Sequence, residues 1–326
     1  MVFPDRTTVR TALELAGRAP SVHNTQPWRW RVGTGCVQLS VERSLQLVYT
    51  DPDGRDLMVS CGAALHHAVV AFAALGWQGT VHRFPDRDRP DRLATIELRP
   101  GAPEPADIAL AAAIPRRRTD RRHFSEWPVP PGDIALMGSR AARLGIGLRR
   151  AEPTDEFKAI LYQAISRHLH DIEYLTEMTR WSGRYAAVAG VPALSTPEPD
   201  YDTAIPGRIF AGPALGQPVG STGAGDHAVL LALGTAGDGP VDRLRAGEAT
   251  SAVLLTATAA GLATCLVSEP LEVPECRAQL RTDVFGDDLY PQMLVRAGWA
   301  PTNADPLPAT PRRPVDTVLT WTDEAS

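Results

Sequence analysis

The chain is expected to form an α+β fold, a sheet flanked by helices, built from two fused half-repeats that pair as a single-chain pseudo-dimer. Three features of the sequence point that way. A small-residue helix pattern occurs twice with the same glycine spacing, and each copy is followed by a strand pattern that ends at a glycine. Between them lies a stiff Pro-rich linker, Pro100-Gly-Ala-Pro-Glu-Pro105, which places the halves at residues 1–105 and 106–326.

Asp5 is positioned to cap a first helix on which Val9, Ala12, Leu13 and Ala16 recur at helical spacing, and Gly17 with Pro20 ends it. The loop that follows, Arg18-Ala-Pro-Ser-Val-His-Asn-Thr-Gln-Pro-Trp28, is dense in side-chain amides and stiffened by two prolines. That composition suits a rigid loop presenting polar groups to a flat ligand. Residues 28–32 and 37–41 alternate like paired strands across Gly33-Thr-Gly35, with Trp28 and Trp30 packing in the core. Residues 57–75 are small and apolar nearly all round, the mark of a core helix, and end at Gly76. Strands are expected over 80–84 and 93–98.

After the linker comes a basic run, Arg116-Arg-Arg-Thr-Asp-Arg-Arg-His-Phe124. The pattern then gives a helix over 131–144, a strand over 146–150 and one long helix over 154–180. Residues 181–225, rich in Pro and Gly with few apolar runs, are expected to form an ordered excursion or lid. A strand over 229–233, a second core helix over 241–260 and a final strand over 292–297 precede a Pro-rich tail, 301–314, that wraps the surface.

The two core helices align from Gly62 to Gly76 against Gly247 to Gly261, with Ala64 facing Ala249 and Val69-Val70 facing Leu254-Leu255. Buried Ala-rich helices resemble one another by chance. The repeated order of helix, polar segment, core helix and strand favours duplication instead, and fused copies pack about a pseudo-twofold axis as a homodimer does. Only the first half has the amide-rich loop and only the second has the arginines. Such a pair holds one complete site and one degenerate site.

The 326 residues suffice for a core without staples, and the net charge of −5 argues against nucleic acid or an anionic membrane as the partner of the whole chain. Cys36, Cys61, Cys265 and Cys276 lack paired spacing and the N-terminus lacks a signal pattern, so free thiols and a cytoplasmic location are expected. The longest apolar run, 252–267, is shorter than the ~20 residues of a membrane span. No metal site is expected, because His66-His67 and His168-x-His170 lack the helical offset of four. Cys61 reads as an inert core thiol, no serine sits in a nucleophile elbow, and Gly220-Ser-Thr-Gly-Ala-Gly225 lacks the lysine and glycine order of a nucleotide loop.

The loop Pro20-Ser-Val-His-Asn-Thr-Gln-Pro-Trp28 and the segment Arg117-Arg-Thr-Asp-Arg-Arg-His-Phe124 resemble the FMN-binding motifs of the nitroreductase superfamily. With Gly261-Leu-Ala-Thr-Cys265 and Tyr290-Pro-Gln-Met-Leu-Val-Arg-Ala-Gly-Trp299, nearly the full length is similar to the Acg-type branch, in which two nitroreductase halves are fused. The resemblance implies that Ser21 and Asn24 reach the flavin ring from half one. It also implies that Arg118, Thr119 and Arg122 from half two hold the phosphate, aided by the late basic pair Arg312 and Arg313. Leu266, Ser268 and Glu269 stand where the family offers backbone groups to flavin N5, the place of the chemistry. His23, Gln26, Arg117 and Asp120 complete the implied cofactor set. Asp120 departs from the family's serine, and an acid near a phosphate is unfavourable unless it orients an arginine. Pro270 also replaces the family's glycine after the acidic residue.

Each assignment has a physical sense and a plainer competitor. Guanidinium forks match phosphate oxygens, although a solvated basic run or a nucleic-acid patch has the same composition as Arg116 to Arg122. Asn24 and Gln26 suit the donor and acceptor edge of a flavin pyrimidine, although Ser21 and Asn24 also suit an ordinary turn. His23 faces substrate or is a satisfied structural histidine. The implied activity is that of an FMN-dependent oxidoreductase that passes hydride from NAD(P)H, a transient co-substrate, through FMN to a nitroaromatic, quinone or similar small-molecule acceptor. A flavin-binding or flavin-storage protein whose lid bars turnover is the alternative, and a nitroreductase-like scaffold for another ligand a third reading. The expected assembly is a monomeric pseudo-dimer or a weak homodimer.

Overall fold

The computed structural model describes residues 2–33, 35–184, 187–301 and 303–322; Thr34 of the expected hairpin turn, Tyr185 and Ala186 of the excursion and Thr302 of the tail lie outside them. Helix α1 (Arg6–Ala16) is capped by the Asp5 carboxylate, which accepts from the Thr8 amide at 2.7 Å, and buries Val9, Ala12, Leu13 and Ala16. Strands β1 (Trp28–Gly33) and β2 (Cys36–Val41) pair antiparallel with Trp30 opposite Leu39, and Trp28 and Trp30 are buried as expected. Helix α2 (Arg55–Ala74), β3 (Trp77–Arg83), β4 (Arg92–Pro100) and α3 (Pro105–Ala113) follow. Proline opens α3 at a position whose amide has no helical partner.

The chain continues through α4 (Pro131–Arg143), β5 (Gly147–Ala151), α5 (Asp155–Leu169), α6 (Ile172–Trp181), β6 (Ser182–Arg184) and β7 (Val191–Pro192). It continues with β8 (Val229–Thr235), α7 (Pro240–Ala259), β9 (Ala263–Val267), α8 (Glu269–Glu272), α9 (Pro274–Phe285), β10 (Tyr290–Gly298) and β11 (Leu319–Trp321). One sheet has the order β11-β1-β2-β4-β3, the other β5-β8-β10-β9, and helices flank both. Helix α2 is long and apolar enough to cross a membrane by length and composition, but 83% of its apolar stretch is buried inside the protein.

Three expectations need correction. The helix over 154–180 is two helices, because the Asp171 side chain accepts from the Glu173 and Tyr174 amides, both at 3.0 Å, and starts α6 afresh. The strand over 292–297 is not the last. The tail returns to the first half, where β11 runs parallel to β1 and Val315, Val318 and Leu319 enter the first core. Helices α3, α8 and α9 and strand β9 were not foreseen as elements.

The halves meet where α2 crosses α7. A Cβ added to Gly62 would lie 2.0 Å from the Leu244 carbonyl oxygen and 2.9 Å from the Gly247 Cα. One added to Gly247 would lie 2.0 Å from the Val59 carbonyl oxygen and 2.9 Å from the Gly62 Cα. The contact is reciprocal, as a pseudo-twofold axis requires. Leu244 accordingly belongs to the first core and Val59 to the second.

Backbone cannot yield as a side-chain tip can. Gly62→Ala is expected to lower stability by about 3 kcal/mol, whereas Gly138→Ala, where nothing lies within 4 Å, should raise it by roughly 0.5–1 kcal/mol through helix propensity. Denaturant melts of the two variants check both signs; a neutral Gly62→Ala contradicts the close crossing.

Candidate active site

The loop after α1 is held in a conformation most residues avoid. His23, Asn24 and Gln26 have φ of 42°, 56° and 55°, left-handed values for non-glycine residues. Hydrogen bonds fix the loop from three directions. The Ser21 Oγ accepts from the Gln26 amide and the Ser60 Oγ of α2 from the Val22 amide, each at 3.0 Å. Asn24 Nδ2 donates to the Gly190 carbonyl in the excursion and to the Pro311 carbonyl in the tail, each at 3.1 Å. Gln26 Nε2 donates to Val188 O at 2.9 Å, and its Oε1 accepts from the Arg313 amide at 2.8 Å.

The basic run is extended beside β9, with the Asp120 amide donating to Thr264 O at 2.8 Å and Thr119 bridged to Thr264. An extended backbone sends successive side chains to opposite sides. Arg117, Thr119 and Arg121 therefore line the large cavity between the halves, while Arg118, Asp120 and Arg122 point away. Arg118 donates to the carbonyls of Pro115 and Arg117 at 2.8 and 2.9 Å. Arg122 is forked onto Asp120 at 2.8 and 3.0 Å, both buried. The acid that departs from the family pattern thus orients an arginine, but that arginine is turned from the cavity.

Of the residues named from sequence, Ser21, His23, Asn24, Arg117, Thr119, Leu266, Ser268, Glu269 and Arg312 line the cavity. Arg118, Asp120 and Arg122 do not, for the period-two reason just given. Gln26 and Arg313 belong to a neighbouring cleft beside Trp28 and Val318, because Gln26 is spent on bracing the tail. Arg121 was missed, although alternation along 117–121 would have found it. Asp56, Arg208 and Phe210 also line the cavity. Nothing local in the sequence distinguishes Arg208 from the rest of the excursion.

The walls come from both halves. Asp56, Val59, Ser60 and Ala63 form one stripe of α2, the segment 265–270 contributes further lining, and Val191, Ser195, Ile205, Arg208 and Phe210 of the excursion complete it. Arg208 pins the excursion: it pairs with Glu272, lies 4.0 Å from Glu269 and contacts His23 Nε2 at 2.6 Å. Burial opposes its charge, but Glu272 and Glu269 hold the guanidinium above its ordinary value. His23 is held well below its ordinary value by burial and then by Arg208, so its ring is neutral and Nε2 accepts.

The arginines of the cavity are unusual electrostatically. Burial, then Arg118 and Arg18, lowers Arg117 to about 10, and burial, then Arg117, lowers Arg312 to about 9. Among the described residues neither these nor Arg121 pairs with a carboxylate, and the Nε atoms of Arg117 and Arg312 have no hydrogen-bond partner. Arg312 and Arg121 donate to backbone carbonyls instead, and Arg121 sits 4.8 Å over the Phe210 ring. Converging cations, one buried and two half-buried, without counter-charge favour an anion. Asn24 Oδ1 and His23 Nδ1, also buried in this cavity, lack partners as well.

The two arginine types should separate in solution. Arg122→Ala leaves Asp120 buried and unpaired and is expected to lower stability by about 3 kcal/mol. Arg117→Met should leave the melting temperature unchanged or higher, and should abolish the rise that inorganic phosphate gives the wild type. Thermal melts with and without phosphate check this; an Arg117→Met protein still stabilised like the wild type contradicts the anion site.

No protein-family model matches the chain. The chain is 59% identical over 322 residues to the Mycobacterium tuberculosis "Putative NAD(P)H nitroreductase Rv3131", spanning 99% of this chain and 94% of that one. It is 37% identical to the Mycobacterium tuberculosis "Putative NAD(P)H nitroreductase acg", over 95% of each. Among solved structures, a nitroreductase with bound FMN from Desulfitobacterium hafniense is 13% identical over 66% of this chain and 98% of its own, with a TM-score of 0.41. On its full-length relatives, the chain belongs to the nitroreductase superfamily, in the Acg-type branch.

Proposed function

We propose that the chain is an FMN-dependent oxidoreductase of nitroreductase type that passes reducing equivalents from NAD(P)H to a nitroaromatic, quinone or similar small acceptor. The observation that carries it is the convergence of three guanidinium groups without a carboxylate partner, Arg117 buried and Arg121 and Arg312 half-buried, with orphaned polar atoms of the strained loop in one cavity. The names of two full-length relatives support the same reading. The halves are drawn at 1–105 and 106–326, each supplying what the other lacks.

In this reading Arg117, Arg121 and Arg312, with the Thr119 hydroxyl, hold the phosphate; charge-assisted bonds of this kind contribute roughly 1.5–3 kcal/mol each. Asn24 has already committed its Nδ2 to two carbonyls, so its Oδ1 remains as an acceptor for a ring N–H. Neutral His23 adds no charge of its own to the cavity. Leu266 to Glu269 line the cavity, and in this reading their main chain serves the ring. When bound, the flavin supplies two-electron hydride chemistry at N5. Four free thiols, Cys36, Cys61, Cys265 and Cys276, fit a cytoplasmic location, and the fused halves fit a monomer.

One observation favours the storage alternative: the excursion itself walls the cavity and is pinned through Arg208 to Glu272. Anaerobic mixing of the FMN-loaded chain with NADPH and NADH decides between them. Bleaching within seconds is expected for the oxidoreductase. A flavin that stays yellow assigns the chain to storage, and a chain that cannot be loaded with FMN contradicts both.

A further inference from the structure

The cavity contains one acid that the assignments above do not use. Asp56 lies in the first turn of α2 on the stripe that faces the cavity, and is only 2% exposed. Neither carboxylate oxygen has a hydrogen-bond partner. Arg55 Nη2 approaches Oδ1 to 2.7 Å but is not aligned to donate, and Ser60 Oγ donates to the Asp56 main-chain oxygen, not to its carboxyl. The other acid lining the cavity, Glu269, is engaged by His168 at 3.0 Å.

Asp56 also lines a second cavity on its far side, bounded by Asp51, Arg55 and Glu272 and opening past the exposed Pro52, Asp53 and Ala278. One carboxyl therefore stands in the wall between the ligand cavity and a route to solvent. We propose that Asp56 is the proton donor of the cavity, giving its proton to the oxygen of a quinone-class acceptor and regaining one through the second cavity. This rests on the oxidoreductase reading.

The step balances. Reduction of a quinone to a hydroquinone takes one hydride equivalent, supplied overall by NAD(P)H, and one proton. The Asp56 O–H breaks, an O–H forms on the quinone oxygen, and water from the second cavity returns a proton to the carboxylate. Burial supports this by pushing the carboxyl up to about 8 against the opposing charge of Arg55, with Asp51 and Glu272 adding to the rise and Arg208 opposing it. The group is then protonated at neutral pH and able to donate.

Asp56→Asn removes the proton and Asp56→Glu keeps it. In the chain without flavin, infrared titration should show a protonated carboxyl lost as pH rises through about 8, present in the wild type and absent from Asp56→Asn. In the FMN-loaded chain, after NADPH bleaching, reoxidation by benzoquinone should slow on the order of a hundredfold in Asp56→Asn, measured against that variant's own bleaching rate. Asp56→Glu should recover part of it, and the wild type, unlike Asp56→Asn, should lose rate at high pH. The donor role is overturned by Asp56→Asn reacting with quinone at the wild-type rate and with an unchanged pH profile, or by a carboxyl already ionised at neutral pH. Wild-type protein that binds FMN and is never bleached sinks the oxidoreductase reading instead.

Discussion

Two glycines in backbone contact set the geometry on which everything else rests. Gly62 and Gly247 let α2 and α7 approach until each meets a carbonyl of the other helix, and any side chain there would force them apart. A helical glycine is disfavoured by about 1 kcal/mol relative to alanine, so its presence at the crossing is tolerable only because close approach buries the two long apolar helices against each other. The pairs Gly62 and Gly247, Val59 and Leu244, and His66 and Ser251 are all separated by 185 positions, as are the first and the last residues of α2 and α7. His66 Nδ1 meets the Ser251 hydroxyl at 2.7 Å, so position-equivalent residues touch where an axis would pass.

Symmetry in the scaffold is broken in the sites. Ala63 lines the ligand cavity, and its counterpart 185 positions on is Glu248, buried and forked onto Arg83 at 2.6 and 2.7 Å. Where one side of the axis leaves room for a ligand, the other is filled by an ion pair that needs both partners to be tolerable in the interior. The duplicated frame positions the walls, and small against charged side chains decide which wall stays open.

Much of this was legible in the sequence. Asp5 as a cap, the apolar stripe of α1, the alternation of β1 and β2 and the all-round burial of α2 are local signals read by local rules. The glycine spacing carried the pseudo-dimer, since a close crossing can be made by few residues. The break at Asp171 was not legible, because a capping aspartate inside a helical pattern looks like an exposed polar residue until its side chain turns onto the next amides. Strand β11 was hidden by the prolines before it, and its pairing with β1 joins residues nearly 290 positions apart. At the site, the motif located the basic run but not its phase. Arg118 and Arg122 were assigned to the cavity, and the extended backbone gives that face to Arg117 and Arg121. Arg208 and Asp56 depend on how the excursion and the start of α2 fold onto the cavity, which no short stretch encodes.

The account is that unequal halves enclose a single flavin mononucleotide in their seam. Equilibrium titration of the flavin-free chain with FMN, followed by quenching of flavin fluorescence, tests this most directly. Saturation at one FMN per chain is predicted; saturation at two per chain, or no saturable binding, would contradict it.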